Sequence, residues 1–415
     1  MDLTIIPGKL SGEVNIPASK SISHRALICA ALANGTSDIR NITMSEDIQA
    51  TMDVLTELGA SFKINGNCIT VTGIDTPAEN AVLRCNESGS TLRFMIPVAC
   101  ALGTVSEFQG KGRLPKRPID IYTRELSDKG VIFDYNNDMP FTVSGKLTGG
   151  EFHVEGDVSS QFITGLLLAL PLCPEDSVIK LTSTLQSRPY VDITINCLKR
   201  FGIEIHENEN EYRIKGNQKY HAENFDVEAD FSQAAFFITA NAIGNNVTIN
   251  NLPDASLSSQ GDKKIIEIAE SICYNKKAGV FEDITIDASD IPDLVPIVSV
   301  LCSLSGCRTF ITNAQRLRIK ESDRLETTAQ MINNLGGNVT VTDDGLIISP
   351  VEKFTGGTVH SFNDHRIAMA TAIAASVADG RVFIKNFDSI KKSYPDFLAD
   401  YKKLGGKVQN GIVLE

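Results

Sequence analysis

The stretch Val14 to Leu27 reads V-N-I-P-A-S-K-S-I-S-H-R-A-L. A short strand-like run gives way to a polar, small-residue turn, and the turn to an apolar, Ala-rich helix. The same strand-turn-helix pattern returns at Val82–Leu102, where the turn is C-N-E-S-G-S-T-L-R-F, and at Phe152–Leu170, F-H-V-E-G-D-V-S-S-Q-F-I-T-G-L. It recurs at Phe225–Ala242, at Ile284–Leu304 and at Thr358–Val377, which makes six copies spaced roughly 60–75 residues apart. Each copy is expected to continue into a second strand, a second helix ending near Leu-Gly or Phe-Gly, and a hairpin. Such hairpins begin at Leu58, Phe201 and Leu335, and a shortened one, L-G-G-K-V-Q-N-G-I-V-L, begins at Leu404. Gly suits the residue after a helix, and Asn-Gly or Asp-Gly suits the hairpin turn. The midpoint of the series falls near residue 228, so three copies are expected in each half, with a cleft between the halves.

A repeat of this kind has a chemical consequence. Every helix start carries orphan N–H groups and the positive end of a dipole, and copies packed about a common axis bring those ends together. Converging helix starts make an anion site. The turns are also chemically varied, where a bare scaffold would settle on one good cap. They hold Lys20, Ser21 and Arg25; Glu87, Ser88 and Gly89; Ser159, Ser160 and Gln161; Asp293; and Asp364, His365 and Arg366. In Gln315–Leu325, Q-R-L-R-I-K-E-S-D-R-L, the alternation predicts a strand with Arg316, Arg318 and Lys320 on one face. Ser322 is the expected N-cap of the helix that follows, which leaves Lys320, Glu321 and Arg324 at the junction. Cations, a carboxylate and free N–H groups in one place suit phosphate and carboxylate ligands.

The bulk properties fit that reading. A chain of 415 residues is long for one core and predicts two domains. Composition is that of a soluble protein, 42% hydrophobic and 22% charged. A net charge of −12 argues against a nucleic-acid or membrane-surface binder, so an anionic ligand has to be held by a local basic pocket. Met1–Leu10 has no basic-then-apolar pattern of a signal peptide, and the apolar windows Phe162–Pro174 and Ile291–Leu304 fall short of a membrane span. Nine cysteines without a C-x-x-C pair predict buried thiols in a reducing, cytoplasmic setting. There is no G-x-x-x-x-G-K-[ST], Gly110-Lys111-Gly112 lacks the third glycine of a dinucleotide fingerprint, and neither H-E-x-x-H nor G-x-S-x-G occurs. His360 and His365 flank Asp364, a weak metal signal. A site without metal or organic cofactor is therefore expected, rich in Arg, Lys, Asp, Glu and Ser and suited to phosphorylated, carboxylated substrates.

Taken in order, P-A-S-K-S-I-S-H-R, N-E-S-G-S-T-L-R, L-P-K-R-P-I, V-S-S-Q-F, S-R-P-Y-V-D-I-T, I-P-D, R-I-K-E-S-D-R-L, N-D-H-R-I-A-M and K-S-Y-P-D-F carry a resemblance over the whole chain. The chain resembles the 5-enolpyruvylshikimate-3-phosphate synthase (3-phosphoshikimate 1-carboxyvinyltransferase) family. The resemblance implies an α/β fold of two domains, each of three βαβαββ units in an inside-out α/β barrel, closing on substrate. It implies domain boundaries of 19–228 for one domain and of 1–18 with 229–415 for the other. The implied reaction moves the enolpyruvyl group of phosphoenolpyruvate to the 5-hydroxyl of shikimate 3-phosphate through a tetrahedral ketal, releasing phosphate, with no cofactor and no metal. A monomer acting on small molecules, with no nucleic-acid or membrane partner, is the implied working state.

Carried over position by position, the resemblance gives shikimate 3-phosphate to Lys20, Ser21, Arg25, Ser159, Ser160, Gln161, Ser187, Tyr190, Asp293 and Lys320. It gives phosphoenolpyruvate to Lys20, Gly89, Arg117, Gln161, Arg324, Arg366 and Lys392. Asp293 is the implied acceptor of the 5-hydroxyl proton, Glu321 handles a proton at the methylene carbon, and Lys20 stands near the departing phosphate; which of Lys20 and Glu321 gives which proton stays open. Two positions depart from the family pattern. Glu87 replaces the usual Asn and is expected near Arg117 or Arg93, and Arg316 replaces a substrate-contacting Asn found in some members. A phosphonate mimic of phosphoenolpyruvate such as glyphosate is expected to fit beside Gly89, where a methyl group would crowd it. The sister enolpyruvyl transferase acting on UDP-N-acetylglucosamine fits less well. Its mobile loop carries a reactive Cys where Gly112–Arg117 has none, and its first motif reads K-N where this chain has Lys20-Ser21. A non-catalytic member of the fold is the other alternative, and the retention of Lys20, Asp293, Glu321 and the phosphate-site arginines counts against it.

Overall fold

In a computed structural model, residues 1–411 are described. The chain divides into two compact units, Ala18–Glu228 and Met1–Pro17 together with the chain from Ala229 on. Ala18–Glu228 holds three four-stranded sheets, each with one parallel strand pair followed by two antiparallel pairings. The second, for example, runs Asn80–Arg84, Val105–Gln109, Phe141–Gly145, Val131–Asp134. The helices α1 (Lys20–Leu32), α2 (Glu46–Glu57) and α3 (Gly89–Leu102) follow in order, and Ser160–Ala169 and Arg188–Arg200 complete the set that matters for function. α1, α3 and Ser160–Ala169 are buried around nearly their whole circumference, α1 through its polar first turns as well as its apolar remainder, so they form the centre of the unit. α2 and Arg188–Arg200 are amphipathic and bury one face.

The second unit repeats the plan with two four-stranded sheets and one parallel pair. Ser11–Val14, which precedes α1 in sequence, pairs in parallel with Asn246–Ile249 in this unit. Phe225–Asp226, which precedes the helix Phe231–Ala242, pairs in parallel with Thr36–Arg40, both strands lying within Ala18–Glu228. The first and fourth copies have thus exchanged opening strands. Nothing local forbids this, because a short parallel strand joins either partner with the same ladder of hydrogen bonds. The fourth copy also lacks the expected hairpin, since the helix Ile265–Ala278 leads directly to the strand Ile284–Asp287. In the last copy, the strand Lys407–Asn410 falls where the first arm of the hairpin expected from Leu404 was placed, and the rest of that expectation, residues 412–414, lies outside the described residues. Leu3–Ile6 lies between Val382–Lys385 and Lys407–Asn410, antiparallel to both. Among the described residues no helix is long and apolar enough to cross a membrane.

Candidate active site

In Ala18–Glu228 the helix starts carry the polar groups. Lys20 opens α1 and its Nζ donates to Asp47 Oδ2 of α2 at 2.6 Å. Arg25, 3% exposed, ties α1 to Arg188–Arg200: Nε donates to Thr194 Oγ1 at 2.7 Å and Nη2 to Tyr190 O at 3.0 Å. Its Nη1 donates to Ser21 O at 2.6 Å, Nη2 also reaches Thr164 Oγ1 at 3.3 Å, and the guanidinium lies over the Phe94 ring. Burial lowers the Arg25 pKa to about 10, which leaves it a cation at neutral pH. Ser187 stands at the start of Arg188–Arg200 in the left-handed region (φ 58°), with Tyr190 in the first turn.

A second group forms around α3. Ser88 is its N-cap and accepts the Thr91 N–H at 3.2 Å, and Gly89 is its first residue. A Cβ on Gly89 would stand 2.1 Å from Arg117 Nη1 and 3.6 Å from Gln161 Oε1, so these three groups share one place and only glycine admits the arginine that closely. Gln161 Oε1 accepts from Arg93 Nη1 at 2.9 Å and its Nε2 donates to Ser90 Oγ at 3.0 Å. Ser159 caps Ser160–Ala169, accepting the Gln161 N–H at 3.3 Å, and Ser160 is the first residue of that helix. The Glu87 carboxylate packs against Gly112, where a Cβ would come within 2.5 Å of Oε2.

The other unit gathers Asp293, Lys320, Glu321, Arg324 and Arg366. Asp293 accepts from Arg324 Nη1 at 2.9 Å and Arg366 Nη2 at 2.7 Å, with Lys320 Nζ at 3.8 Å. Arg324, 1% exposed, also donates to Glu321 Oε2 at 2.5 Å and from Nε to Asp364 Oδ2 at 2.9 Å. Asp364 is the N-cap of His365–Ala375 and accepts the Arg366 N–H at 3.0 Å. One buried carboxylate therefore orients the helix that carries Arg366 and the guanidinium of Arg324. Buried Lys392 donates to the carbonyl of Asn363 at 2.7 Å.

The electrostatics follow from the geometry. Burial opposes ionisation of Asp293, but Arg366, Lys320 and Arg324 outweigh it and hold its carboxyl well below the usual carboxylate range. Burial draws Lys320 down to about 8, with Asp293 pulling the other way. Asp262, which accepts a hydrogen bond from Ser232 Oγ, is raised by burial and by repulsion from Asp293. A base flanked by two buried arginines and a partly exposed lysine can bind anions and accept a proton from a hydroxyl.

Two expectations are corrected here. Gln315–Ile319 is a 3₁₀ helix, not a strand, and its cations do not share a face. Arg316 turns inward to the carbonyls of Ala288 and Ser289, Arg318 pairs with Asp323 and the Thr342 carbonyl, and Lys320 faces Asp293. Asn313 in the left-handed region and fully buried Leu317, whose N–H reaches Ala314 O at 2.9 Å, tighten the chain into a turn. The N-cap of Arg324–Asn334 is Asp323, not Ser322: its carboxylate accepts the Glu326 N–H at 3.2 Å. Ser322 instead bonds to Thr327 and Asp364. Asp47, Thr164 and Thr194 were missed as partners, because their types match ordinary helix residues and only the fold brings them to Lys20 and Arg25. His360 Nδ1 accepts the Phe362 N–H at 2.7 Å, and among the described residues no group of three or more His, Cys, Asp or Glu is placed to hold a metal ion.

Known proteins resemble this chain along its whole length. The family described as EPSP synthase (3-phosphoshikimate 1-carboxyvinyltransferase) matches residues 5–400. A 3-phosphoshikimate 1-carboxyvinyltransferase of Clostridium novyi is 46% identical over 426 residues, covering 98% of each chain. One from Clostridioides difficile is 44% identical over 429 residues, again covering 98% of each. An EPSP synthase structure from Acinetobacter baumannii, 24% identical, superposes with a TM-score of 0.79 over 98% of this chain and 99% of its own, which shows the same fold. With the family match running from Ile5 into the last helix, the chain belongs to the EPSP synthase family.

Proposed function

We propose that the chain transfers the enolpyruvyl group of phosphoenolpyruvate to the 5-hydroxyl of shikimate 3-phosphate, giving 5-enolpyruvylshikimate 3-phosphate and phosphate. The observation that carries this reading is Asp293, ionised between Arg324 and Arg366 with Lys320 beside it. Lys20, Ser21, Arg25, Ser159, Ser160, Gln161, Ser187, Tyr190 and Lys320 hold shikimate 3-phosphate, with its 5-hydroxyl directed at Asp293. Lys20, Gly89, Arg117, Gln161, Arg324, Arg366 and Lys392 hold phosphoenolpyruvate, whose carboxylate and phosphate suit forked guanidinium donors. When those anions engage Arg324 and Arg366, the positive field on Asp293 weakens and its basicity rises, so substrate binding itself prepares the base. Asp293 then takes the 5-hydroxyl proton as the oxygen adds to C2 of phosphoenolpyruvate. Glu321 and Lys20 serve protonation at C3, which makes the methyl group of the tetrahedral ketal, and then removal of one methyl proton as the C–O bond to phosphate breaks and the C2–C3 double bond re-forms. The working form is a cytoplasmic monomer acting on small molecules.

Phosphate release with phosphoenolpyruvate plus either shikimate 3-phosphate or UDP-N-acetylglucosamine tests the reading. Turnover with the first acceptor and none with the second is expected. Turnover with the sugar nucleotide alone would transfer the chain to the sister activity, and none with either would remove the catalytic reading.

A further inference from the structure

α1 and α2 are joined by two polar rungs, of which the inner one continues to α3 and only the outer one, Lys20 to Asp47, belongs to the site described above. One helical turn along, His24 Nδ1 stands 2.7 Å from Thr51 Oγ1. Thr51 Oγ1 is 2.7 Å from Thr91 Oγ1, and the Thr91 hydroxyl donates to Ser88 Oγ at 2.7 Å. Ser88 is the N-cap of α3 and also accepts the Thr91 N–H. All four side chains are buried, with Thr51 and Thr91 at 0% exposure and His24 and Ser88 at 1%. Buried hydroxyls need their bonds made, so such a chain holds three helices in one relative placement.

Counting protons fixes its direction. A hydroxyl has one proton, and that of Thr91 goes to Ser88. Thr51 must therefore donate to Thr91, and its remaining acceptor site is filled by an N–H on His24 Nδ1. His24 is thus the neutral tautomer protonated on Nδ1. Its Nε2 has no hydrogen-bond partner among the described residues, and the ring meets Phe94 edge to face. A second proton would place an unpaired charge in that apolar setting, and burial, with Lys20 and Arg25 nearby, pushes the imidazole pKa well below its ordinary value.

We infer that His24 is a positioning residue for phosphoenolpyruvate: through Thr51 and Thr91 it fixes the Ser88 cap, and with it the Gly89 turn against which Arg117 lies. Arg25, on the same helix, reaches Thr194 and Tyr190 instead and lies outside the chain of bonds, so the shikimate 3-phosphate groups are not held by it. The kinetic part of this inference rests on the proposed function; the tautomer does not.

The test compares wild type with His24→Asn, His24→Gln, His24→Phe and Thr51→Val. Asn carries an amide N–H at the position of Nδ1, whereas Gln carries its amide at the position of Nε2. Losing one buried hydrogen bond is expected to raise the KM for phosphoenolpyruvate about five- to tenfold in His24→Phe and His24→Gln, and losing two to raise it at least as much in Thr51→Val. The KM for shikimate 3-phosphate is expected to stay near that of wild type, and His24→Asn to behave as wild type. An equal rise in both KM values, or His24→Asn as impaired as His24→Phe, would overturn the inference. Thr51→Val changes little in shape and carries the test if the His24 variants fold poorly. Nitrogen-15 NMR of the wild-type imidazole gives a reading independent of turnover: Nδ1 protonated and Nε2 bare at neutral pH supports the inference, and the opposite tautomer or the cation overturns it. Failure of wild type to release phosphate would count against the proposed function alone.

Discussion

Gly89 shows how much a single missing side chain can decide. The Arg117 guanidinium occupies the space where a Cβ would be, at 2.1 Å from Nη1, and the far end of a flexible side chain can swing away. Gly89→Ala is therefore expected to fold normally and to displace Arg117. Phosphoenolpyruvate should bind more weakly, with a KM raised by about tenfold for one impaired charged contact, and inhibition by a phosphonate mimic such as glyphosate should weaken in the same variant. An alanine variant with unchanged KM and unchanged inhibition would show that Arg117 does not meet that ligand. Lys320 gives a second expectation at this scale. Its pKa, lowered by burial to about 8, makes it an ammonium below that pH and an amine above it. An anionic acceptor binds the ammonium form better, so the KM for shikimate 3-phosphate should be flat below pH 8 and rise above it, by up to about tenfold per pH unit. Lys320→Arg stays charged and should flatten that rise. A wild-type KM independent of pH up to about 9.5, well past the value burial sets, would remove Lys320 from the acceptor's contacts.

At the scale of elements, what was legible in the sequence was whatever local chemistry determines. The helices starting at Lys20, Gly89, Ser160 and His365 were readable, because an apolar run behind a small or acidic cap has few other folds available. Gln315–Ile319 was misread for an equally physical reason. Alternation of Arg, Leu, Arg and Ile fits a strand, but five residues are too few to separate that period from a tight turn, and burial of Leu317 decided between them. The cap at Asp323 was misplaced by one residue, since Ser322 and Asp323 are equivalent caps in isolation and only the approach of Asp364 gives Ser322 another partner. Asp47 and Thr194 could not be found at all. Each lies on a helix as an unremarkable polar residue, and its meaning comes from a side chain far away in sequence, Lys20 for one and Arg25 for the other.

On the scale of the whole molecule, a net charge of −12 is compatible with the proposed cationic site because Arg324 and Arg366 are buried and ordered by Asp364 and Asp293 of their own unit. Six sequence copies were visible from their period, yet the exchange of opening strands between the first and fourth was not, as it depends on long-range pairing. The same long-range pairing makes the first residues structural. Leu3–Ile6 is hydrogen-bonded on both edges, and Leu3 and Ile5 are fully buried. Removing residues 1–7 would strip two core side chains, worth about 1.5–3 kcal/mol each, and leave the facing edges of Val382–Lys385 and Lys407–Asn410 unpaired. Against a typical total stability of about 5–15 kcal/mol, that loss should unfold the unit that holds Asp293, Arg324 and Arg366. The truncated protein should lose phosphate release, melt at lower temperature and be cleaved by protease at sites beyond Ala229. An extension ahead of Met1 should be tolerated, since Met1 is exposed and its ammonium pairs with an Asp388 that is itself about one-third exposed. A truncated chain with the melting curve and protease resistance of the full one would show that the sheet does not need its central strand, and would undo this account of how the second unit is closed.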